Sequence, residues 1–143
     1  MRTVFADTSY LIALFNPKDE HHAVAVRLVE ELSPFHLLTS EAVLTEFLND
    51  FSARGAALRS RATQCVEQLR RNGTPNARAA TVVPQTPAIF AEAFSIYRDR
   101  PDQSWSLTDC TSYRIMAQWG VHEALTHDRH FEQMGFRALL RAR

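Results

Sequence analysis

Apolar positions along this chain follow two patterns: short unbroken runs, and longer stretches in which they recur every third or fourth residue. The first pattern predicts buried strands and the second amphipathic helices. Thr3 to Ala6 is a run of the first kind, and "HLLT" (36–39), "ATVVP" (80–84) and "EALT" (123–126) repeat it, with "FRALL" (136–140) as a fifth candidate. Thr8 to Phe15 reads as a short apolar helix whose first turn follows Asp7 directly. From Asp19 to Leu32, Ala23, Val26, Leu28 and Val29 form one face and Glu30 and Glu31 the other, and Ser33-Pro34 ends the helix.

A further helix opens near Ser40, with Val43, Phe47 and Phe51 at i, i+4 and i+8. Gly55 breaks it, and an arginine-rich helix runs from about Ala56 to Arg71. Asn72-Gly73-Thr74-Pro75 is the strongest loop signal in the chain. Helices are predicted over Pro87 to Arg98 and Leu107 to Trp119, the latter closed by Gly120 as a C-terminal cap. Short strands separated by helices require crossover connections. The expected fold is therefore α/β, a three-layer α/β/α domain around a short, mostly parallel sheet.

Composition narrows the class. A chain of 143 residues with 45% hydrophobic content suits one compact domain over 1–143, burying roughly two-thirds of its unfolded surface. No apolar run reaches the length of a membrane span, and the N-terminus lacks the pattern of a signal peptide, so a cytoplasmic protein without a membrane partner is expected. Cys65 and Cys110 are far apart and form no CxxC pair, which indicates reduced thiols and no zinc knuckle.

The formal net charge is zero, yet all but one of the sixteen cationic side chains are arginine. Six of them, Arg54, Arg59, Arg61, Arg70, Arg71 and Arg78, stand against the single acid Glu67. That segment is either a solvated helix face or a surface that favours phosphate.

The acids carry the chemistry. Asp7 lies inside the apolar run "VFADTSYLIALF", at the end of the first strand, and Asp128 follows the fourth strand directly. Ligands of open α/β sheets bind outside the carboxyl ends of the strands. Asp109 sits in the first turn of its helix and Glu46 projects from the helix after the second strand. Each acid has a structural alternative: Asp7 and Asp128 as N-caps, Asp109 in the S-x-x-D capping pattern with Ser106, and Glu46 as a solvated residue no different from Glu41.

"FADTSYLIALF", "TSEAVLTEFLNDF", "WSLTDCTSYRIM" and "EALTHDRHFEQMGF", in that order, resemble the four acidic motifs of PIN-domain ribonucleases, and within that family the small VapC-type toxins of toxin–antitoxin pairs. The resemblance covers nearly the whole chain. It implies that Asp7, Glu46, Asp109 and Asp128 are the metal-binding and catalytic acids, with Asp102 as a possible fifth. It also implies that the hydroxyls of Thr8, Ser9, Ser106 and Thr126 orient those carboxylates or bound water. The activity it implies is hydrolysis of RNA phosphodiester bonds, with Mg2+ or Mn2+ as cofactor, since oxygen-only ligands favour those ions.

With that activity in view, Arg59, Arg61, Arg70 and Arg71 become candidate phosphate contacts, and Trp105 a candidate base-stacking residue set against a role in the core. The partners implied are an RNA substrate, a cognate antitoxin lying across the acidic groove, and a second copy in a homodimer. Phe47, Leu48 and Phe51 offer either a surface for a partner helix or plain core. His127 and His130 have H-x-x-H spacing but lack the further ligands of a zinc site, so His22 and His130 read as hydrogen-bonding residues of polar turns. A receiver domain is excluded because the only lysine is Lys18. The alternative that stays open is a non-catalytic PIN-like scaffold for RNA or protein binding, since a sequence shows acids without their geometry.

Overall fold

The computed structural model describes residues 1–71 and 77–141. The predicted loop 72–75 lies outside the described residues. The elements are β1 (Arg2–Ala6), α1 (Thr8–Phe15), α2 (His22–Leu32), β2 (Phe35–Ser40), α3 (Glu41–Phe51), α4 (Ala56–Arg71), β3 (Ala77–Val83), α5 (Pro87–Asp99), α6 (Leu107–Trp119), β4 (Glu123–Leu125), α7 (Arg129–Gln133) and β5 (Arg137–Ala138).

The five strands form one sheet in the order β3-β2-β1-β4-β5, and every pairing is parallel. The chain builds outward from β1 to β2 and β3, then crosses back to place β4 on the other side of β1. Right-handed crossovers in opposite directions put helices on opposite faces, which gives the three layers expected. The reversal falls between β1 and β4, where Ala6 and Leu125 are register partners. That is the switch point at which α/β sheets form a ligand crevice.

Burial on both faces explains the unbroken apolar runs of the strands. Val4, Phe5, Leu37, Leu38, Ala124 and Leu125 are buried, packed with Tyr10, Leu11, Phe47, Phe51 and Phe131 from the helices. Phe47 and Phe51 are at most 1% exposed, so they belong to the core and offer no partner surface. In α2 the buried stripe is Ala25, Leu28, Val29 and Leu32, and Val26 faces outward.

Several boundaries differ from those the pattern predicts. Asp19 does not begin α2; its carboxylate accepts the His21 N–H at 2.9 Å and makes a turn instead. β3 begins at Ala77 and stops before Pro84, which has no N–H to give the ladder. The predicted fifth strand contracts to Arg137–Ala138, although Leu139 and Leu140 still donate to Ala124 and Thr126 at 2.9 and 3.1 Å. Gly120 ends α6 with φ of 66°, as its capping role requires.

Candidate active site

Asp7 is the residue after β1 and the N-cap of α1, but its side chain makes no capping hydrogen bond. It turns instead toward the end of β4. The Thr126 hydroxyl donates to Asp7 Oδ2 at 2.8 Å, and Ser9 Oγ reaches the same oxygen at 3.3 Å. Thr126 Oγ1 in turn accepts the Asp128 N–H at 3.0 Å. A chain of hydrogen bonds thus joins the first acid to the backbone of the last.

Asp7 is 4% exposed. Burial pushes its carboxyl up to about 7; the Thr126 hydrogen bond opposes that rise, and the charges of Asp109 and Glu46 add to it. Those couplings place the three acids in one electrostatic field. Among the described residues, no arginine or lysine lies within ion-pair distance of Asp7, Glu46, Asp109 or Asp128.

Asp109 occupies the first turn of α6. Its Oδ2 accepts the Ser106 N–H at 3.0 Å while Ser106 Oγ accepts the Asp109 N–H at 3.0 Å, so the capping box read from the sequence is present. The cap does not exhaust the carboxylate. Asp128 caps α7, its Oδ1 accepting the His130 N–H at 2.9 Å. His130 then closes the arrangement: its Nδ1 lies 2.9 Å from Asp109 Oδ2 and 3.4 Å from Asp128 Oδ1. One ligand atom from each of Asp109, Asp128 and His130 lies within 4.8 Å of the other two.

Glu46 and Glu41, indistinguishable by composition, differ in the structure. Glu41 accepts the Gln85 N–H at 2.7 Å, whereas the charge of Glu46 is felt at Asp7, and α3 packs on α6. Asp102 is not joined to the cluster. Both its oxygens take the Arg100 guanidinium at 3.0 Å, which holds its carboxyl below the usual range. Thr8 is buried, and its hydroxyl has no protein partner. Arg59, Arg61, Arg70 and Arg71 are exposed on α4, and Arg59 donates to the Ser52 carbonyl at 2.8 Å.

Trp105 is not available for stacking on a base. It is 6% exposed, its indole N–H bonds Gln133, and the Arg100 guanidinium and the Tyr113 ring lie against it. His22 Nδ1 bonds the Ala13 carbonyl at 2.7 Å, the role expected of it. His130 exceeds its expected role, since its partners are two acids of the cluster. The only sequence signal for that was its place two residues after Asp128.

The cluster suits a divalent cation: carboxylate oxygens with one imidazole beside them, and negative charge that no neighbouring guanidinium offsets among the described residues. A parallel α/β sheet with such a cluster at its switch point is the architecture of a PIN domain. The PIN-domain model matches residues 4–137, and the chain belongs to that family.

Its relatives include the 23S rRNA-specific endonuclease VapC20 of Mycobacterium tuberculosis, found in strains CDC 1551 / Oshkosh and H37Rv. That protein is 28% identical over 136 residues, covering 93% of this chain and 95% of the relative. The crystal structure of VapC20, described as a sarcin-ricin loop cleaving toxin, matches with a TM-score of 0.78 at 26% identity, over 93% of this chain and 95% of that one. FitAcB from Neisseria gonorrhoeae shares the fold, with a TM-score of 0.57 at 17% identity over 94% and 95% of the two chains.

Proposed function

We propose that this protein is a metal-dependent endoribonuclease and the toxin half of a toxin–antitoxin pair. The observation that carries this reading is Asp7: a carboxylate is buried at the switch point, its ionisation is opposed by two further acids, and no lysine or arginine pairs with it among the described residues. A bound Mg2+ or Mn2+ relieves that repulsion and, when present, polarises water and phosphate oxygens for hydrolysis. The relationship to VapC20, an enzyme named for RNA cleavage, supports RNA as the substrate.

In this reading Asp7, Glu46, Asp109 and Asp128 hold the cation. Thr126 and Ser9 fix Asp7 through Oδ2, and Ser106 fixes Asp109 through the cap. Asp7 and Asp109 are thus aimed before the ion arrives. Arg61, Arg70 and Arg71 bind phosphates of the RNA and position it without reading its sequence. The unbalanced negative charge also suits an antitoxin that lays a basic side chain into the groove. Phe90, Phe94 and Tyr97, 48%, 48% and 53% exposed along α5, suit a homodimer contact. No described helix is long and apolar enough to cross a membrane, and a cytoplasmic site of action follows from an RNA substrate.

Incubation of the purified protein with cellular RNA in Mg2+, in Mn2+ and in chelator tests the reading. Discrete cuts that need metal and vanish in Asp7→Asn are expected. Binding of RNA without cleavage under all three conditions would leave a scaffold.

A further inference from the structure

We infer that His130 is a positioning residue that sets Asp109 and Asp128 in place for the cation, acting through its Nδ1–H. The inference rests on the metal-dependent reading above. Asp109 and Asp128 belong to different elements, the first turn of α6 and the N-cap of α7, and no backbone hydrogen bond ties one carboxylate to the other. His130 is the side chain that spans them. Its backbone N–H holds Asp128 Oδ1 at 2.9 Å and its Nδ1 holds Asp109 Oδ2 at 2.9 Å, with Asp128 Oδ1 a further 3.4 Å from the same nitrogen. The ring is partly buried, its side chain 21% exposed.

The hydrogen-bond pattern fixes which nitrogen acts. Asp109 Oδ2 already accepts the Ser106 N–H, so as a carboxylate oxygen it meets Nδ1 as an acceptor and Nδ1 carries the proton. A protonated Nδ1 cannot ligate a metal; it can only orient the carboxylate. The same economy recurs across the cluster. Among the described residues, the side-chain donors to Asp7 fall on Oδ2, the donors to Asp109 fall on Oδ2, and the N–H given to Asp128 falls on Oδ1. In Asp109 and Asp128 these donors hold one oxygen and leave the other for the ion. In Asp109 part of that anchoring belongs to His130, a residue supplied by the helix that Asp128 caps.

Residues that orient metal ligands typically change metal affinity about 10- to 100-fold when removed. The two amides separate orientation from ligation, because an asparagine NH2 falls near the place of Nδ1 and a glutamine NH2 near that of Nε2. Calorimetric titration of Mn2+ into the full-length wild type, His130→Ala, His130→Asn and His130→Gln, each checked for its fold by metal-free melting, is the test. His130→Ala should bind Mn2+ about 10-fold or more weakly, His130→Gln should fall with it, and His130→Asn should stay close to wild type. RNA cleavage by His130→Ala should also recover as Mn2+ is raised, because affinity is what the ring supplies.

Retention in His130→Gln with loss in His130→Asn would overturn the inference and make the Nε2 position the active one. Wild-type affinity in His130→Ala would leave the ring without a positioning role, while the metal-dependent reading stood. Failure of the wild type itself to bind Mn2+ would overturn both. If the alanine variant does not fold, the asparagine and glutamine pair decides.

Discussion

The hydroxyl of Thr126 donates to Asp7 Oδ2 at 2.8 Å and accepts the Asp128 N–H at 3.0 Å, so one buried side chain sets the ends of both β1 and β4. Thr126→Val keeps the shape and removes the hydroxyl. It should destabilise the fold by about 1–3 kcal/mol, since it strands a buried acceptor and a backbone donor. Denaturant melts give the stability, and RNA cleavage should fall with it because Asp7 loses its stronger tether. A variant as stable and as active as wild type would show that the network is incidental.

Asp7 also predicts how metal-free stability depends on pH. The folded protein keeps its proton up to about 7, whereas an unfolded aspartate releases it near 3.9. Between those values the native state binds more protons than the unfolded chain, so this group's contribution to stability falls as pH rises. The loss by pH 8 approaches about 4 kcal/mol. Asp7→Asn removes the titration while its amide oxygen can still accept from Thr126. In chelator its stability should exceed that of wild type at pH 8, and its profile from pH 4 to 7 should be the flatter of the two.

Asp109 is both a cap and a member of the cluster, and Asp109→Asn separates the two roles. The asparagine oxygen still accepts the Ser106 N–H, so metal-free stability should match or exceed that of wild type while Mn2+ no longer protects. The cap itself is tested by Ser106→Ala, which should cost about 1 kcal/mol. Melting of Asp109→Asn well below wild type in chelator, with Mn2+ still protective, would assign the residue to capping alone.

The exposed arginines of α4 should act on RNA binding and not on the chemical step. Combined Arg61→Ala, Arg70→Ala and Arg71→Ala should raise KM, leave kcat nearly unchanged, and lower the salt slope of RNA binding by up to about 2. Arg59 is left out because it holds the Ser52 carbonyl at 2.8 Å. A triple variant with unaltered KM and salt slope would place the RNA elsewhere.

What was legible in the sequence follows from what is local. Asp7 stood out because a charge inside an apolar run is costly, and Ser106 with Asp109 stood out because a capping box is a pattern of four residues. The parallel sheet was implied by strands alternating with helices, whereas its order, β3-β2-β1-β4-β5, was not. Other features were set by tertiary contact. α7 has five residues, too few to show a period, so its His130 read only as a turn residue. Composition could not separate Glu46 from Glu41; the motif resemblance did, and the Gln85 N–H bound by Glu41 sets the two apart in the structure. Trp105 lies in a polar segment, where base stacking and a core role both stay open; Arg100 and Tyr113 cover the ring, and Arg100 also withdraws Asp102.

In the proposed reading the acids at the switch point form a cation site that includes Asp7, and thermal melting of wild type and Asp7→Asn at pH 8, in chelator and in Mn2+, decides whether they do. A ligand that binds only the native state stabilises it by mass action. Mn2+ should raise the melting temperature of wild type and leave Asp7→Asn, the more stable of the two in chelator, unmoved. Equal stabilisation of both proteins by Mn2+, or of neither, would contradict the claim.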